Sequence, residues 1–232
     1  MNLRPLRFTL TFVAIAAVTT LTLLWIAPPP HADGEATPPW HAQQSGGYWE
    51  IMGWTLGATT PEQVAKRLGS DVQWAILRRP GQAVVLEGWV PDFAVHGLTG
   101  KLLLQFELPE PLQALAEAEG RGAEITASGN LRREFDPLHQ SDPRWRQAPR
   151  LQLLTFLPGV RIDAATLEAR FAALGTAPHR WQDETQASHW LYALSCAAPC
   201  TPLGVHIALP AENGRPVIEY ALLERFAALL PS

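Results

Sequence analysis

The chain has 232 residues, with 18 basic and 22 acidic side chains, so its formal net charge at pH 7 is −4. Nine tryptophans and eight phenylalanines supply ample core material, which excludes a disordered chain. The slightly acidic balance excludes binding to nucleic acid through bulk positive charge. Two cysteines are too few for a small scaffold held together by several disulfides.

The N-terminal region predicts a membrane anchor. Residues 8–27 carry no charge, and as a helix they would span about 30 Å, the hydrocarbon thickness of a bilayer. Arg4 and Arg7 precede this stretch and the acidic Asp33 follows it, so the positive-inside rule keeps residues 1–7 in the cytoplasm. We therefore expect a single-pass inner-membrane protein, with the lipid bilayer as the partner of the anchor and the C-terminal part in the periplasm. The alternative is a signal peptide that is cleaved after export to the periplasm.

The rest of the chain divides into a linker and a folded part. Residues 28–47 contain five prolines and three glycines, and their proline clusters favour extended, semi-rigid backbone. We expect this linker to hold the folded part away from the bilayer. The folded part is predicted to consist of a first α+β module at 48–120, connecting strands with a polar loop at 121–158, and a second α+β module at 159–232.

The first module is predicted to begin with a helix whose two ends are marked by residue type. Thr60 suits the N-cap and Pro61 the first helical position, and Gln63 completes a capping box. Gly69 suits the left-handed position that follows a helix. Alternation of apolar and polar residues then predicts three strands and a short second helix. These elements are predicted at 72–77, 83–90, 101–108 and 111–119.

The second module repeats this order of elements. Asp163 takes the capping position of a helix that closes at Gly175, three strands follow, and residues 218–230 are predicted to form a closing helix. The similarity indicates either a duplication or the resemblance that amphipathic patterning produces by itself. In both cases the fold class is α+β with antiparallel sheets. The remaining strands are predicted at 123–127, 151–156, 180–182, 188–194 and 205–209.

The stretch around the first predicted helix carries a further pattern. A glycine at position 53 precedes a helix start with Thr60 and Val64, and Leu68-Gly69 ends the helix. This stretch resembles the opening of the small outer-membrane-associated BamE-like (SmpA/OmlA) domains, in which a three-stranded antiparallel sheet follows. The resemblance implies a non-enzymatic envelope module that contacts other proteins. Two departures are the absence of the acylated cysteine that anchors that family and the greater length of this chain.

Cys196 and Cys200 are the sharpest local feature of the second module. In an exported protein, two cysteines four residues apart most simply form a disulfide, here across the loop between two predicted strands. The alternative is a metal or redox site in which both cysteines act together with His206 and His189, which fall on adjacent predicted strands. The spacing is neither that of a thioredoxin-like motif nor that of haem attachment.

Five arginines near the polar loop form a candidate contact surface for an anionic partner, such as a phospholipid, a glycan or an acidic protein. The alternative is a solvated loop, because acidic residues lie among them. The five are Arg132, Arg133, Arg144, Arg146 and Arg150.

The sequence contains no pattern typical of a catalytic or cofactor-binding site. A nucleophile elbow, an S-x-x-K motif, an H-E-x-x-H motif and glycine-rich nucleotide loops are all missing. We therefore expect no catalytic residue, no cofactor and a non-enzymatic binding or scaffolding role with an envelope protein partner. The alternative function is an envelope metal-handling or thiol-redox factor that uses Cys196, Cys200 and His206.

Overall fold

The structure is a computed structural model of the chain, and it describes residues 37–126, 129–211 and 214–230. The predicted anchor at 8–27 and the segment before it lie outside the described residues. Within the described part, no helix is both long enough and apolar enough to cross a bilayer. The described part is mixed α+β, and its sheets are antiparallel.

Thirteen strands form two sheets in the described part of the chain. The bounds are β1 Ala42–Ser45, β2 Tyr48–Ile51, β3 Trp54–Thr55, β4 Gln73–Arg78, β5 Val85–Val95, β6 Leu98–Glu107, β7 Arg121–Ile125, β8 Leu131–Glu134, β9 Arg150–Pro158, β10 His179–Gln182, β11 Ser188–Leu194, β12 Leu203–Leu209 and β13 Val217–Leu222. Strands β1 to β3 form a small sheet of their own. The other ten pair in the order β10-β11-β12-β13-β9-β6-β5-β4-β8-β7, and every pair is antiparallel.

Helical segments connect these strands. The α-helices are α1 Pro61–Leu68, α2 Glu110–Glu119, α3 Arg144–Gln147 and α4 Ala164–Phe171, and shorter 3-10 segments cover Gly69–Asp71, Ala172–Leu174 and Leu223–Leu229. The capping box predicted for α1 is confirmed: the Gln63 amide donates to the Thr60 hydroxyl, and the Thr60 amide donates to the Gln63 side chain. The cap predicted for α4 is also confirmed, because the Thr166 amide donates to the Asp163 carboxylate.

The large sheet has two different faces because successive side chains of a strand point to opposite sides. One cross-strand row is wholly apolar and buried: Ile207, Ile218, Phe156, Leu102 and Val90. The four α-helices and the small sheet pack into the same core as this row, so we call this side the helix-covered face. The next row, on the other side, is His206, Glu219, Thr155, Leu103 and Trp89, and we call that side the open face.

The 3-10 segment Leu223–Leu229 covers one part of the open face. The ring of Phe226 packs with Leu153, Leu191 and Ala221 in a small cluster separate from the main core. Gly204 makes this approach possible, because a Cβ built at that position would lie 2.4 Å from the Phe226 ring. The C-terminal segment is therefore held against the sheet beside His206.

Two predicted elements are wrong. The closing helix expected at 218–230 is strand β13 followed by the 3-10 segment. Strand β13 lies between β12 and β9 and pairs with both, and this pairing takes the stretch into the centre of the sheet. The linker predicted at 28–47 contains strand β1, which pairs with β2 through a Gly46-Gly47 turn. Packed structure therefore begins before Tyr48.

Candidate functional site

The open face brings two histidine rings into contact. His189 lies on β11 and His206 on β12, and the Nδ1 of His189 is 3.0 Å from the Nε2 of His206. The two ring planes differ by only 2°. The predicted placement of these histidines on adjacent strands is confirmed by the pairing of Leu191 with His206 and of His189 with Ala208. We call these two residues the imidazole pair.

A carboxylate contacts the outer nitrogen of each ring. The Nε2 of His189 is 3.1 Å from the Oδ2 of Asp183, and the Nδ1 of His206 is 2.9 Å from the Oε2 of Glu219. Since a carboxylate only accepts, each outer nitrogen donates its N–H outward. Two neutral imidazoles then have no N–H left for the contact between them, and two lone pairs face each other. A proton or another cation between the two inner nitrogens makes this contact attractive.

Both carboxylates are held in place by further hydrogen bonds. The Oδ1 of Asp183 accepts from the Thr185 amide at 2.9 Å, the Thr185 hydroxyl at 2.8 Å and the Ala187 amide at 3.0 Å. The Thr185 hydroxyl and then the adjacent histidine are the main causes that lower the pKa of Asp183 to about 2. The Thr155 hydroxyl lies 3.5 Å from the Oε1 of Glu219. The loop before β11 therefore keeps Asp183 ionised and directed at its ring.

This lowered pKa predicts a specific sensitivity to acid. An unfolded aspartate titrates near pH 4, whereas folded Asp183 titrates at about pH 2. The stability that Asp183 contributes is therefore present above about pH 4 and is lost as the pH falls toward about 2. We expect the urea midpoint of wild-type protein to fall more steeply across that range than the midpoint of Asp183→Asn. Glu184→Gln, at the exposed neighbouring position, is the matched control and should retain the wild-type slope.

Aromatic rings flank the imidazole pair. The plane of Trp181 is within 12° of both imidazole planes, with centroid distances of 5.1 Å to His189 and 5.8 Å to His206. The Phe226 ring lies 5.6 Å from His206. The side chain of His206 is only 6% exposed, whereas that of Asp183 is 39% exposed. The site is thus deepest at His206 and opens to solvent at Asp183.

A second polar cluster lies farther along the open face. Burial raises the pKa of Glu87, and the positive charges of Arg132 and Arg79 oppose that rise. Gln105 lies opposite Glu87 and hydrogen-bonds to it, yet its side chain is buried and, within the described residues, its Oε1 has no hydrogen-bond partner. An unpaired buried acceptor is costly, so this position is a weak point of the sheet.

The structure pairs the two cysteines with each other. The sulfur atoms of Cys196 and Cys200 lie at disulfide distance, in the loop that joins β11 to β12. The cysteines pack against the main core of the helix-covered face, whereas the imidazole pair lies on the open face. The structure therefore brings His189 and His206 together without the cysteines. No cluster of three or more His, Cys, Asp or Glu side chains in the described part of the chain is arranged to hold a metal ion.

Breaking this cysteine pair is expected to destabilise the fold moderately. Chain-entropy arguments give about 2 kcal/mol for closing so short a loop. We expect Cys200→Ser, with Cys196→Ser to avoid a free thiol, to lower the free energy of unfolding by about that amount. Urea unfolding of wild-type and double variant measures the difference, and reductant should shift only the wild-type protein. Equal curves for the wild type with and without reductant would contradict a disulfide in the native chain.

The five predicted arginines do not form one surface. Arg144 is 2.7 Å from Asp142, and the guanidinium of Arg150 donates to backbone carbonyls at the start of β9. Arg132 and Arg133 are neighbours on β8 and so point to opposite faces of the sheet. Arg146 approaches Glu62 of α1 at 4.0 Å. Local partners and strand alternation thus disperse the positive charges.

Sequence reasoning missed both carboxylates of the site. Asp183 lies six residues before His189 in a turn, and Glu219 lies in a stretch whose leucines and phenylalanine are also spaced as in a helix. The strand-forming residues Ile218 and Tyr220 on either side of Glu219 are the signal that could have placed Glu219 on the face opposite to them.

Comparisons of the chain with known protein families, curated proteins and solved structures find no match. The resemblance of Gly53–Gly69 to BamE-like domains therefore stays a prediction. In the structure this stretch contains β3 and α1, and the three antiparallel strands β4, β5 and β6 follow it.

Proposed function

We propose that this chain is a non-enzymatic binding and scaffolding module of an envelope assembly, and that its open face docks an envelope protein. The observation that carries the proposal is the asymmetry of the large sheet. Helices and the small sheet cover one face, whereas the other keeps Trp89, Leu103 and Leu157 only partly buried, outside the area that the 3-10 segment covers. Aromatic residues are enriched at the centre of protein interfaces, whereas charged residues such as lysine lie mainly at the polar rim.

The chemistry of this area indicates what the partner offers. The amino group of Lys101 lies 5.4 Å from the centre of the Trp89 ring and is exposed at the edge of the apolar area. A partner that places an apolar side chain against Trp89 and Leu103, with a carboxylate toward Lys101, complements this surface. The partner that we propose is therefore a protein segment with an apolar anchor next to an acidic residue.

We also propose that residues 8–27 anchor this module in the inner membrane, with the N-terminus in the cytoplasm and the folded part in the periplasm. A cysteine pair at disulfide distance supports this, because disulfides persist in oxidising compartments. The end of the linker packs on the folded part: the Tyr220 hydroxyl donates to the Pro39 carbonyl, and the Arg170 guanidinium lies 4.7 Å from the centre of the Trp40 ring. Because Tyr220 belongs to the helix-covered core, the linker end leaves the open face free.

The chain order of the sheet supports a duplication. One half contributes α1 and then β4, β5, β6 and β9, and the other contributes α4 and then β10 to β13. Within each set of four, neighbouring strands of the sheet follow each other in the order of the chain. The two sets meet where β9 pairs with β13. We propose that the two halves are related modules joined by their last strands.

Site-specific crosslinking in cells tests the docking face. A photoreactive residue is placed at Leu103 or Leu157 on the open face of the full-length chain, and at Lys66 on the outer side of α1 as the control. We expect both open-face positions to capture the same envelope protein, the Lys66 position to capture none of it, and Lys101→Glu to reduce the yield several-fold. Equal capture from all three positions, or no protein above a control that carries only residues 1–47, would overturn the proposal.

A further inference from the structure

The geometry points to a transition-metal site: we propose that the Nδ1 of His189 and the Nε2 of His206 bind one divalent ion such as Zn²⁺ or Cu²⁺. The donor count of the imidazole pair leads to this inference. With both outer nitrogens donating to Asp183 and Glu219, two neutral rings present two lone pairs to each other at 3.0 Å. A cation shared by the two inner nitrogens gives all four ring nitrogens of the imidazole pair a partner at once.

The distance between the two inner nitrogens is close to that of two nitrogen ligands on one ion. Zinc–nitrogen bonds of about 2.0–2.1 Å at a tetrahedral angle put the two nitrogens about 3.3 Å apart. The observed 3.0 Å therefore needs to open by only a few tenths of an ångström. The ring planes differ by 2° and the ring centroids lie 5.3 Å apart, so the two inner nitrogens point almost directly at each other. Each ring therefore turns within its plane by roughly 35° before both lone pairs converge on one ion at a tetrahedral angle.

Each histidine of the imidazole pair has a carboxylate as the acceptor for its outer N–H, as metal-binding histidines typically do. A histidine ligand typically donates its other N–H to a carboxylate, which fixes the ring tautomer and makes the coordinating nitrogen more basic. Asp183 does this for His189, and Glu219 does it for His206. Asp183 is itself held by Thr185 and Ala187, so the acceptor for the outer N–H of His189 is in place before any ion binds.

The site is open rather than closed. Since no third ligand of the described part converges on the pair, the ion keeps positions for water or for a donor from a docked partner. Two imidazoles favour Zn²⁺, Cu²⁺ or Ni²⁺ over Mg²⁺ and Ca²⁺, which prefer oxygen ligands. The near-parallel Trp181 ring and the Phe226 ring shield one part of the site, and the exposed Asp183 end gives the ion its entry path.

The test uses the full-length chain without an affinity tag, purified in detergent and stripped with a chelator. Equilibrium dialysis against Zn²⁺ and titration with Cu²⁺ under electron paramagnetic resonance measure stoichiometry and nitrogen coordination. We expect one ion per chain with two nitrogen ligands, loss of that ion in His189→Gln and His206→Gln, and an affinity that is 10 to 100 times weaker in Asp183→Asn. His41→Gln and His139→Gln, at histidines away from the pair, are the matched controls and should bind as wild type does.

Three outcomes would overturn the proposal. One is a wild-type chain that retains no ion, in which case the pair shares only a proton. A second is binding that survives both His189→Gln and His206→Gln, or that disappears in His41→Gln, which would place the ion elsewhere. The third is a Cu²⁺ spectrum of wild-type protein without nitrogen ligands, which is decisive even where a variant fails to fold. None of these measurements depends on whether the open face docks a protein.

Discussion

Replacing Phe156 with alanine is expected to lower the free energy of unfolding by about 3–5 kcal/mol, the usual cost of deleting a buried aromatic ring. Phe156 is wholly buried on β9, and its ring lies edge-on to Phe93 with centroids 6.2 Å apart. Its neighbours across the sheet are Leu102 on β6 and Ile218 on β13. The ring therefore sits where the two halves of the sheet join, and its loss leaves a cavity that neither half can fill alone.

Urea unfolding of the variant and of Leu157→Ala measures this effect. Leu157 is the next residue of the same strand, but it is only half-buried and points to the open face. The control removes three carbons rather than six and does not open the main core, so its cost should be well below half that of Phe156→Ala. Equal costs at the two positions would contradict the assignment of the helix-covered face as the main core. A separate second transition in Phe156→Ala would show that the halves unfold independently.

Local signals made the helices and most strands predictable. The capping box of Thr60 and Gln63 depends on residues three apart, and Asp163 caps its helix through a residue equally near. Such contacts are complete within one turn, so no distant segment decides them. The same holds for β5 and β6, whose alternation shows in the sequence and which lie next to each other in the sheet.

Non-local pairing is what the sequence could not show. Residues 218–222 contain β-formers such as Ile218 and Tyr220, but Leu222, Leu223 and Phe226 also match a helical spacing. The choice between strand and helix is made by β12 on one side and β9 on the other, and β9 lies more than sixty residues earlier in the chain. Contacts at this separation override local preference.

One part of the site could also be predicted from local signals, whereas the other part depends on contacts between distant segments. His189 and His206 could be placed on adjacent strands because a short loop joins β11 and β12. Glu219 reaches His206 only once β13 pairs with β12, and the loop around Asp183 folds back through contacts with Thr185 and Ala187. Cys196 and Cys200 were predicted as possible partners of His206 because they are close to it in sequence. In the structure they pack against the main core on the helix-covered face, whereas the imidazole pair lies on the open face.

Removing the carboxylate of Glu219 is the second large effect that we expect, about 2–3 kcal/mol of unfolding free energy in Glu219→Leu. The Nδ1 of His206 loses its acceptor, and the ring is too buried for water to replace the bond. Glu219→Gln is the matched control, because its amide oxygen still accepts from the ring at nearly the same size. We expect Gln to cost less than half as much as Leu in urea unfolding of metal-free protein.

A double-mutant cycle of Glu219→Leu with His206→Leu measures the interaction energy between these two side chains, apart from the other effects of each substitution. If Glu219 acts through the ring, Glu219→Leu should cost little once His206 is gone, because the unsatisfied N–H is gone with it. Additive costs would contradict the hydrogen bond between them. Repeating the cycle with Zn²⁺ present distinguishes the structural role from ligand orientation: an ion on the pair stabilises the wild-type chain but not His206→Leu, and Glu219→Gln retains only part of that gain.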